Sequence, residues 1–289
     1  MKPVRFHSWN VEPNEAEAIQ NNLRQKVLTQ PIKNDIQYIG GTAVSIDTVN
    51  NMVHAALVIL NYPGLGPVEQ HGISQEIRFD YMSGLLTFRE GAPLMSLFRR
   101  VVQNLDLVLF HAHGQAHPRR FGLASHLGVL LDVPSIGISN KILVGHHVQL
   151  SNEKFSIEPI IDGSEEIGMA LRSRENKSPI FISTGHKTDL ESSVRLVKSL
   201  VKKYKTPEPI RLAQLSANKQ KDGEDIEAIK AKTEALVQSS LKLGEAIYKQ
   251  NPQGGAPQPD PSGEEPSSDK KEEKVVDADF EEVDENKKD

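Results

Sequence analysis

The chain has 289 residues and no cysteine, which excludes a disulfide framework and a thiolate metal site. It contains no apolar run of the roughly 18 residues that a membrane span needs, and its first residues lack the apolar core of a signal peptide, so we expect a cytoplasmic protein without a membrane partner. The net charge is −5, but 13 acidic residues and 5 lysines give residues 260–289 a charge of −8, which leaves about +3 (−5 less −8) for the remainder. A mildly basic folded part is compatible with nucleic-acid binding but does not diagnose it.

The first hundred residues carry one helical pattern, then a strand pattern, then a second helical pattern. Apolar residues at three- and four-residue spacing predict an amphipathic helix over residues 13–29. Residues 38–47, 52–60 and 70–79 are predicted to form a meander of three strands, because turn residues separate them. A loop over residues 81–87 is followed by a helix that begins near residue 88.

From residue 105 onward, short apolar runs alternate with helical patterns. We expect strands at 105–110, 135–138, 154–161, 167–172 and 180–183, and helices that begin near residues 123 and 189. A three-strand meander followed by alternating strands and helices predicts an α/β fold, with a mixed sheet and helices on both of its sides.

The loop after the strand at 105–110 is the most polar connection of this part. It contains His111, His113, His117, Arg119 and Arg120, and a helical pattern follows it. Proteins with α/β folds place their binding sites outside the carboxyl ends of such strands. The sequence therefore predicts a functional site in this loop.

Three segments also carry a resemblance to a known family. Residues 113–137 (H-G-Q-A-H-P-R-R-F-G-L-A-S-H-L-G-V-L-L-D-V-P-S-I-G), 81–90 (Y-M-S-G-L-L-T-F-R-E) and 181–187 (F-I-S-T-G-H-K) resemble the endonuclease V family, whose members cut DNA or RNA next to a deaminated base. The resemblance covers about residues 8–213. It implies a ribonuclease H-like fold, a monomer, and DNA or RNA with deaminated or distorted bases as the partner.

The resemblance also identifies the catalytic positions and shows that several are altered. Family members hold Mg²⁺ with an Asp on the first strand, a Glu that ends F-R-E, and an Asp after the central strand. Glu90 stands at the second position, but Ala43 and His111 stand at the other two, and Asn140 stands where the family has a lysine. Because a methyl group cannot ligate a cation and imidazole prefers softer metals, we expect impaired or lost Mg²⁺-dependent hydrolysis.

Two rescues of the metal site are conceivable from the sequence. Asp47 shares a strand face with Ala43, but four residues separate them by about 13 Å, which is too far for a substitute. Glu90 with His111 and His113 could instead bind Mn²⁺ or Zn²⁺. The histidines could equally form a hydrogen-bonded network without any metal.

The segments that contact the base in the resembling family are better preserved in this sequence than the metal-ligand positions. Tyr81 and Gly84 stand where the family inserts a wedge beside the damaged base, and an aromatic wedge fills the gap that a flipped base leaves. Asp80 and Ser83 replace family prolines in this segment. The alternative for Tyr81 is an exposed loop tyrosine without a role.

Two further motifs contribute candidate site residues. His117, Arg119 and Arg120 match the family's H-P-R-R, and Gly185 and His186 match its T-G-H. The resemblance implies catalytic roles for the two histidines and nucleic-acid contacts for the glycine and the arginines. Adjacent arginines could also simply anchor the loop to carboxylates.

The sequence changes character after residue 213. We expect a domain over residues 1–213, a helical extension over 214–250, and a disordered acidic tail over 251–289, which has too few apolar residues to offset its ordering entropy. Residues 221–289 resemble the lid helix and tail of bacterial seventy-kilodalton heat-shock chaperones. No partner for the tail follows from this.

Two functional hypotheses therefore remain open at this stage. One is a nucleic-acid-binding pseudonuclease that meets inosine-containing strands and cuts them poorly or not at all. The other is an active endonuclease V with a rewired metal site, which requires a second carboxylate within about 5 Å of Glu90. A decaying gene fusion is a weaker third possibility.

Overall fold

The computed structural model describes residues 1–33 and 35–223. Its elements, in chain order, are α1 (Pro13–Leu23), β1 (Tyr38–Asp47), β2 (Met52–Asn61), β3 (Pro67–Glu76), α2 (Leu86–Phe98), β4 (Leu107–Phe110), α3 (Leu123–Leu131), β5 (Ser135–Ser139), β6 (Ile157–Asp162), β7 (Glu165–Leu171), β8 (Ile180–Thr184) and α4 (Leu190–Leu200). A short 3₁₀ helix, Arg24–Lys26, follows α1, and residues 208–223 are helical.

The eight strands form one sheet in the order β3-β2-β1-β4-β5-β8-β7-β6. β1 pairs in parallel with β4, and β4 with β5, whereas the other neighbours pair antiparallel. The three-strand meander and the mixed sheet are thus confirmed. Each predicted strand lies within about three residues of its observed bounds, because turn residues interrupt the apolar runs.

Both faces of the sheet are covered. Val108 and Phe110 of β4 point toward α2 and α3, whereas Leu107 and Leu109 point toward α4, because side chains alternate along a strand. All four side chains are fully buried. Each such burial stabilises the fold by roughly 1.5–3 kcal/mol, so the helices are held on both sides as predicted.

The parallel strands β4 and β5 end at the same edge of the sheet, which we call the carboxyl edge. His111 follows β4 directly, and Asn140 follows β5. Phe110 pairs with Gly137, so the two strand ends are neighbours. The polar loop after β4 therefore begins where the sequence predicts a site.

The first helix is shorter than its predicted span of residues 13–29. After Lys26 the chain becomes extended, and Leu28 exchanges hydrogen bonds with the segment after β8: its N–H donates to His186 Nδ1, and its carbonyl accepts from the Lys187 N–H. These long-range bonds replace further helical bonds.

At the other end, residues 208–223 form a helix, which begins before the helical extension expected from residue 214 and runs through residue 213, where we expect a domain boundary. The chaperone-like extension and the acidic tail lie outside the described residues, apart from residues 214–223. Among the residues that are described, no helix is long and apolar enough to cross a membrane.

Candidate nucleic-acid interface

The loop that precedes α2 is held in place by hydrogen bonds to the carbonyl oxygen of Gly84. This oxygen accepts hydrogen bonds from His117 Nε2 at 2.9 Å, from Arg119 Nη2 at 2.8 Å and from Gln20 Nε2 at 3.1 Å. Gly84 has φ +79, and a Cβ there would lie 2.9 Å from Arg119 Nη2. Only glycine fits this backbone conformation without strain, so the loop segment 81–84 is held in one position.

His117 has one defined role in this arrangement. Its Nδ1 accepts a hydrogen bond from the Arg119 N–H at 3.1 Å, so the ring proton is on Nε2, which donates to the Gly84 carbonyl. Burial lowers the pKa of His117 to about 4. At neutral pH it is therefore an uncharged imidazole that fixes the loop.

Arg119 is directed into the protein rather than toward solvent. Besides Gly84, its guanidinium donates to Gln20 Oε1 at 2.6 Å and to Glu17 Oε1 at 2.9 Å. Because α1 supplies both of these partners, Arg119 joins α1, the loop 81–84 and the loop after β4. This geometry matches the alternative that the arginines anchor the loop to carboxylates.

Arg120 makes a second set of internal contacts. Its guanidinium donates to Glu165 Oε2 at 2.8 Å, to the His117 carbonyl at 3.0 Å and to Asp162 Oδ2 at 2.8 Å. These bonds tie the loop after β4 to the β6–β7 hairpin. In this structure, nucleic-acid phosphates would have to share Arg120 with two carboxylates.

A cavity of about 90 Å³ opens beside the anchored loop. Its walls include Tyr81, Gly84, Thr87, His113 and His117. The Tyr81 side chain is 65% exposed at this surface, and the Arg89 guanidinium lies 5.8 Å from its ring centroid. The structure thus brings together four of the residues that the sequence predicts for the site, Tyr81, Gly84, His113 and His117.

The two residues that the sequence predicts to replace family carboxylates, Ala43 and His111, are neighbours in space. The His111 N–H donates to the Thr42 carbonyl at 3.2 Å, which continues the parallel pairing of β1 and β4. Ala43 is 2% exposed and packs in an apolar cluster with Leu60 and Ala213. The first-strand position therefore faces a hydrocarbon environment.

The two histidines that begin the polar loop bond to the segment after β5. Asn140 Nδ2 donates to His111 Nε2 at 3.4 Å, and His113 Nε2 donates to the Lys141 carbonyl at 2.8 Å. Burial lowers the pKa of His111 to about 4, with smaller contributions from the charges of His113 and Lys205. These contacts are those of a hydrogen-bonded network.

Glu90 is the carboxylate that the sequence predicts for the metal site. Burial raises the pKa of Glu90 to about 7, against the opposing charge of Arg89. Within the described part of the chain, no group of three or more His, Asp or Glu side chains could hold a metal ion, so Glu90, His111 and His113 do not converge as a ligand set. Mg²⁺ prefers several hard oxygen ligands, and this donor set does not fit it.

Asp47 is not a substitute ligand either. Its carboxylate accepts hydrogen bonds from the N–H groups of Val49 and Asn50 and from Asn50 Nδ2. The hydrogen bonds from Asn50 and Val49 lower the pKa of Asp47. It stabilises the β1–β2 turn, a common role for an aspartate in such a turn.

The structure places His186 and Gly185 beside the start of β5, at the opposite end of that strand from Asn140. His186 Nε2 donates to Asp132 Oδ1 at 3.2 Å, and its N–H donates to Ser135 Oγ at the start of β5. The length of β5 separates this point from Asn140 by about 16 Å. A Cβ on Gly185 would lie 2.3 Å from Ser135 Oγ, so this glycine permits close packing against β5.

Gln20 and Glu17 are site residues that sequence reasoning missed. Both lie on α1, which the apolar spacing marks only as a packing helix. Their partners are about 65 to 100 residues away along the chain. The one available signal was that Gln20 is polar within a helix whose neighbouring face is buried.

The chain resembles characterised proteins over the same region that forms this site. Residues 21–215 match the family model described as Endonuclease V. The endonuclease V of Thermosipho melanesiensis is 39% identical over 213 residues, which cover 74% of this chain and 93% of that protein. The crystal structure of endonuclease V from Streptomyces avermitilis has a TM-score of 0.70 and 32% identity, and covers 75% of this chain and 96% of that chain.

A third relative carries a ligand in its crystal structure. Endonuclease V of Ciona intestinalis was solved in complex with a 24mer DNA that contains an inosine followed by a ribo-adenosine. It has a TM-score of 0.65 and 25% identity, and covers 73% of this chain and 98% of that chain. Since the family model matches more than half of the chain and the Thermosipho melanesiensis relative is matched over almost its whole length, the chain belongs to the endonuclease V family.

Proposed function

We propose that this protein binds DNA or RNA strands that carry a deaminated base such as inosine, and that it hydrolyses them weakly or not at all. The observation that carries the proposal is a contrast within one site. The loop with Tyr81 and Gly84 is held by three hydrogen bonds beside a cavity, whereas Ala43 and His111 leave Glu90 without a partner carboxylate.

The recognition half of the proposal rests on the position of Tyr81. An exposed aromatic ring at the tip of an anchored loop can fill the gap in a base stack, and an adjacent cavity can receive the base that leaves it. The Ciona intestinalis relative in complex with inosine-containing DNA supports inosine as the base. The rigidity of the loop lowers the entropic cost of binding.

The hydrolysis half rests on the chemistry of the ligands. Family members use Mg²⁺, which activates the attacking water and stabilises the leaving oxygen in phosphodiester hydrolysis. Among the three metal-ligand positions, only Glu90 offers carboxylate oxygens. The raised pKa of Glu90 leaves it partly protonated near neutral pH. Ala43 offers no lone pair, and His111 offers an imidazole that Asn140 already engages.

Binding and cleavage should be measured on the same oligonucleotides. The substrates are DNA and RNA strands that contain either inosine or guanine at one position. Binding is measured in the presence of EDTA. Cleavage is then measured with Mg²⁺ or Mn²⁺, with the Thermosipho melanesiensis enzyme as the control. We expect a metal-independent preference for inosine and little product. Cleavage comparable to that of the relative would instead establish the active enzyme with a rewired metal site. Equal affinity for inosine and guanine would remove the recognition half.

A further inference from the structure

A row of cations and aromatic rings leads away from the carboxyl edge across the surface. We call Lys154, Phe155, Lys198, Tyr204 and Lys205 the basic strip. Lys154 Nζ lies 4.7 Å and Lys198 Nζ 6.0 Å from the Phe155 ring centroid. These contacts join the segment before β6 to α4.

The strip begins beside the site. Phe181 of β8 pairs with Ser139 at the end of β5, so the β7–β8 connection lies at the carboxyl edge. Lys205 Nζ donates to Ser178 Oγ at 2.6 Å, and the Lys205 carbonyl accepts from Ser173 Oγ at 2.7 Å. Lys205 therefore lies against the β7–β8 connection at this edge.

The β7–β8 connection continues the path to Phe155. The Phe155 N–H donates to the Arg172 carbonyl at 2.7 Å, and Arg172 precedes Ser173. Hydrogen bonds through Ser173, Arg172 and the Phe155 N–H thus join Lys205 to the segment before β6. The strip therefore runs from the carboxyl edge to Lys154.

The segment that supplies Lys198, Tyr204 and Lys205 carries charge of one sign. The 16 residues between Glu191 and Glu208 contain five Lys or Arg residues and no acidic residue. Lys202 and Lys203 are exposed, and Lys203 Nζ lies 5.9 Å from the Tyr204 ring centroid. Such a surface attracts polyanions, and interleaved aromatic rings are typical of grooves that follow a nucleic-acid backbone.

The strip is built for phosphates rather than for bases. Phe155 has φ +70, which is rare for a bulky residue, and its ring lies between Lys154 and Lys198. Because the ammonium groups cover the ring, it stabilises them by cation–π attraction and is not open for stacking. Contacts to phosphates position a strand and carry no sequence information.

We infer that the basic strip binds the sugar–phosphate backbone of the nucleic-acid strand as it leaves the site, without sequence preference and without metal. The inference rests on the proposed function, because it concerns the same bound strand. The basic strip then contributes affinity for the strand, and the loop 81–84 contributes the preference for inosine. A long oligonucleotide that reaches the strip therefore binds more tightly than a short one that ends at the cavity.

The test compares two double variants of the full-length chain with the same loss of charge. Lys154→Gln/Lys198→Gln removes both cations over Phe155, and Lys2→Gln/Lys26→Gln removes two exposed lysines outside the strip. Affinity for long and short oligonucleotides, with inosine or guanine, is measured at several salt concentrations. Thermal melting of both variants checks that they are folded.

The strip variant should lose the affinity advantage of the long strand and keep its ratio of inosine to guanine affinity. Two phosphate contacts contribute a salt slope of about 0.7 each, so the wild type should lose roughly sevenfold more affinity than the strip variant between 50 and 200 mM salt. The control variant should resemble the wild type.

Equal salt slopes in the folded strip variant and the wild type would overturn the inference. Failure of the proposed function is distinguishable, because the wild type itself would then bind inosine and guanine strands equally.

Discussion

Arg119 Nη2 donates a hydrogen bond of 2.8 Å to the Gly84 carbonyl, and this bond couples the loop after β4 to the loop before α2. The same guanidinium reaches Gln20 and Glu17 on α1. An arginine of the H-P-R-R motif thus holds the loop that carries Tyr81. Its role as a direct phosphate contact stays a prediction from the family resemblance.

Arg119→Ala should lower the preference for inosine rather than weaken all strands alike. Without the guanidinium, the loop 81–84 keeps only the bonds from His117 and Gln20, and the buried Gln20 amide loses a partner. Loss of such bonds costs about 1–3 kcal/mol, so the melting temperature should also fall. Binding to two oligonucleotides that differ only in inosine or guanine measures the ratio of inosine to guanine affinity. A uniform loss with an unchanged ratio would show a phosphate contact instead.

Tyr81→Ala should remove the preference for inosine and leave most of the salt-dependent binding. The ring is largely exposed, so its loss affects stacking in the complex more than the fold. Tyr81→Phe is the matched control, because it keeps the aromatic face and should keep the preference. If Tyr81→Ala retains the wild-type ratio, the exposed tyrosine has no role in recognition.

Ala43→Asp together with His111→Asp should restore a metal site beside Glu90. A carboxylate at position 43 lies against Leu60 and Ala213, so without a cation the double variant should melt below the wild type. Mg²⁺ should raise its melting temperature, since a ligand of the folded state stabilises it, and should permit cleavage of inosine strands. The single variants are the controls. Absence of any Mg²⁺-dependent shift would mean that the site is altered beyond these two positions.

The free energy of unfolding should decrease as the pH falls from about 6.5 to about 4. Burial lowers the pKa of His117 to about 4 and that of His126 well below its usual value, so the unfolded chain binds protons in this window that the folded chain does not. Each such histidine lowers the free energy of unfolding by about 1.4 kcal/mol for each unit by which the pH falls in this window. Denaturant titrations at pH 7 and pH 5 measure the decline. Between these two pH values, His117→Asn should lose less free energy of unfolding than the wild type. An unchanged decline would show that His117 is not a buried neutral group.

His186→Ala should lower stability and leave the ratio of inosine to guanine affinity unchanged. The imidazole bonds to Asp132 and to the Leu28 N–H, and so holds the extended segment after α1 against the end of α3. These bonds give His186 a structural role, and the catalytic role that the T-G-H resemblance implies stays a prediction. A selective loss of inosine binding at unchanged melting temperature would support the family role.

The sequence by itself determined the order of the elements and the composition of the site. Strands β1 to β8 follow apolar runs bounded by turn residues, and such local patterns survive without knowledge of their partners. The predicted replacements at Ala43, His111 and Asn140 also come from the sequence, because a missing carboxylate is a matter of residue identity. Membership of the endonuclease V family follows from the same motifs.

Only the tertiary structure decided which polar residues act together. Gln20 and Arg119 lie 99 residues apart in the chain, and their hydrogen bond depends on how α1 packs beside the loop after β4. His117 and His186 look alike in the sequence, yet His117 bonds to the Gly84 carbonyl and His186 bonds to Asp132. A periodic pattern tells which side of an element is buried, but hydrogen bonds between distant loops form only once the sheet has set the positions of both partners.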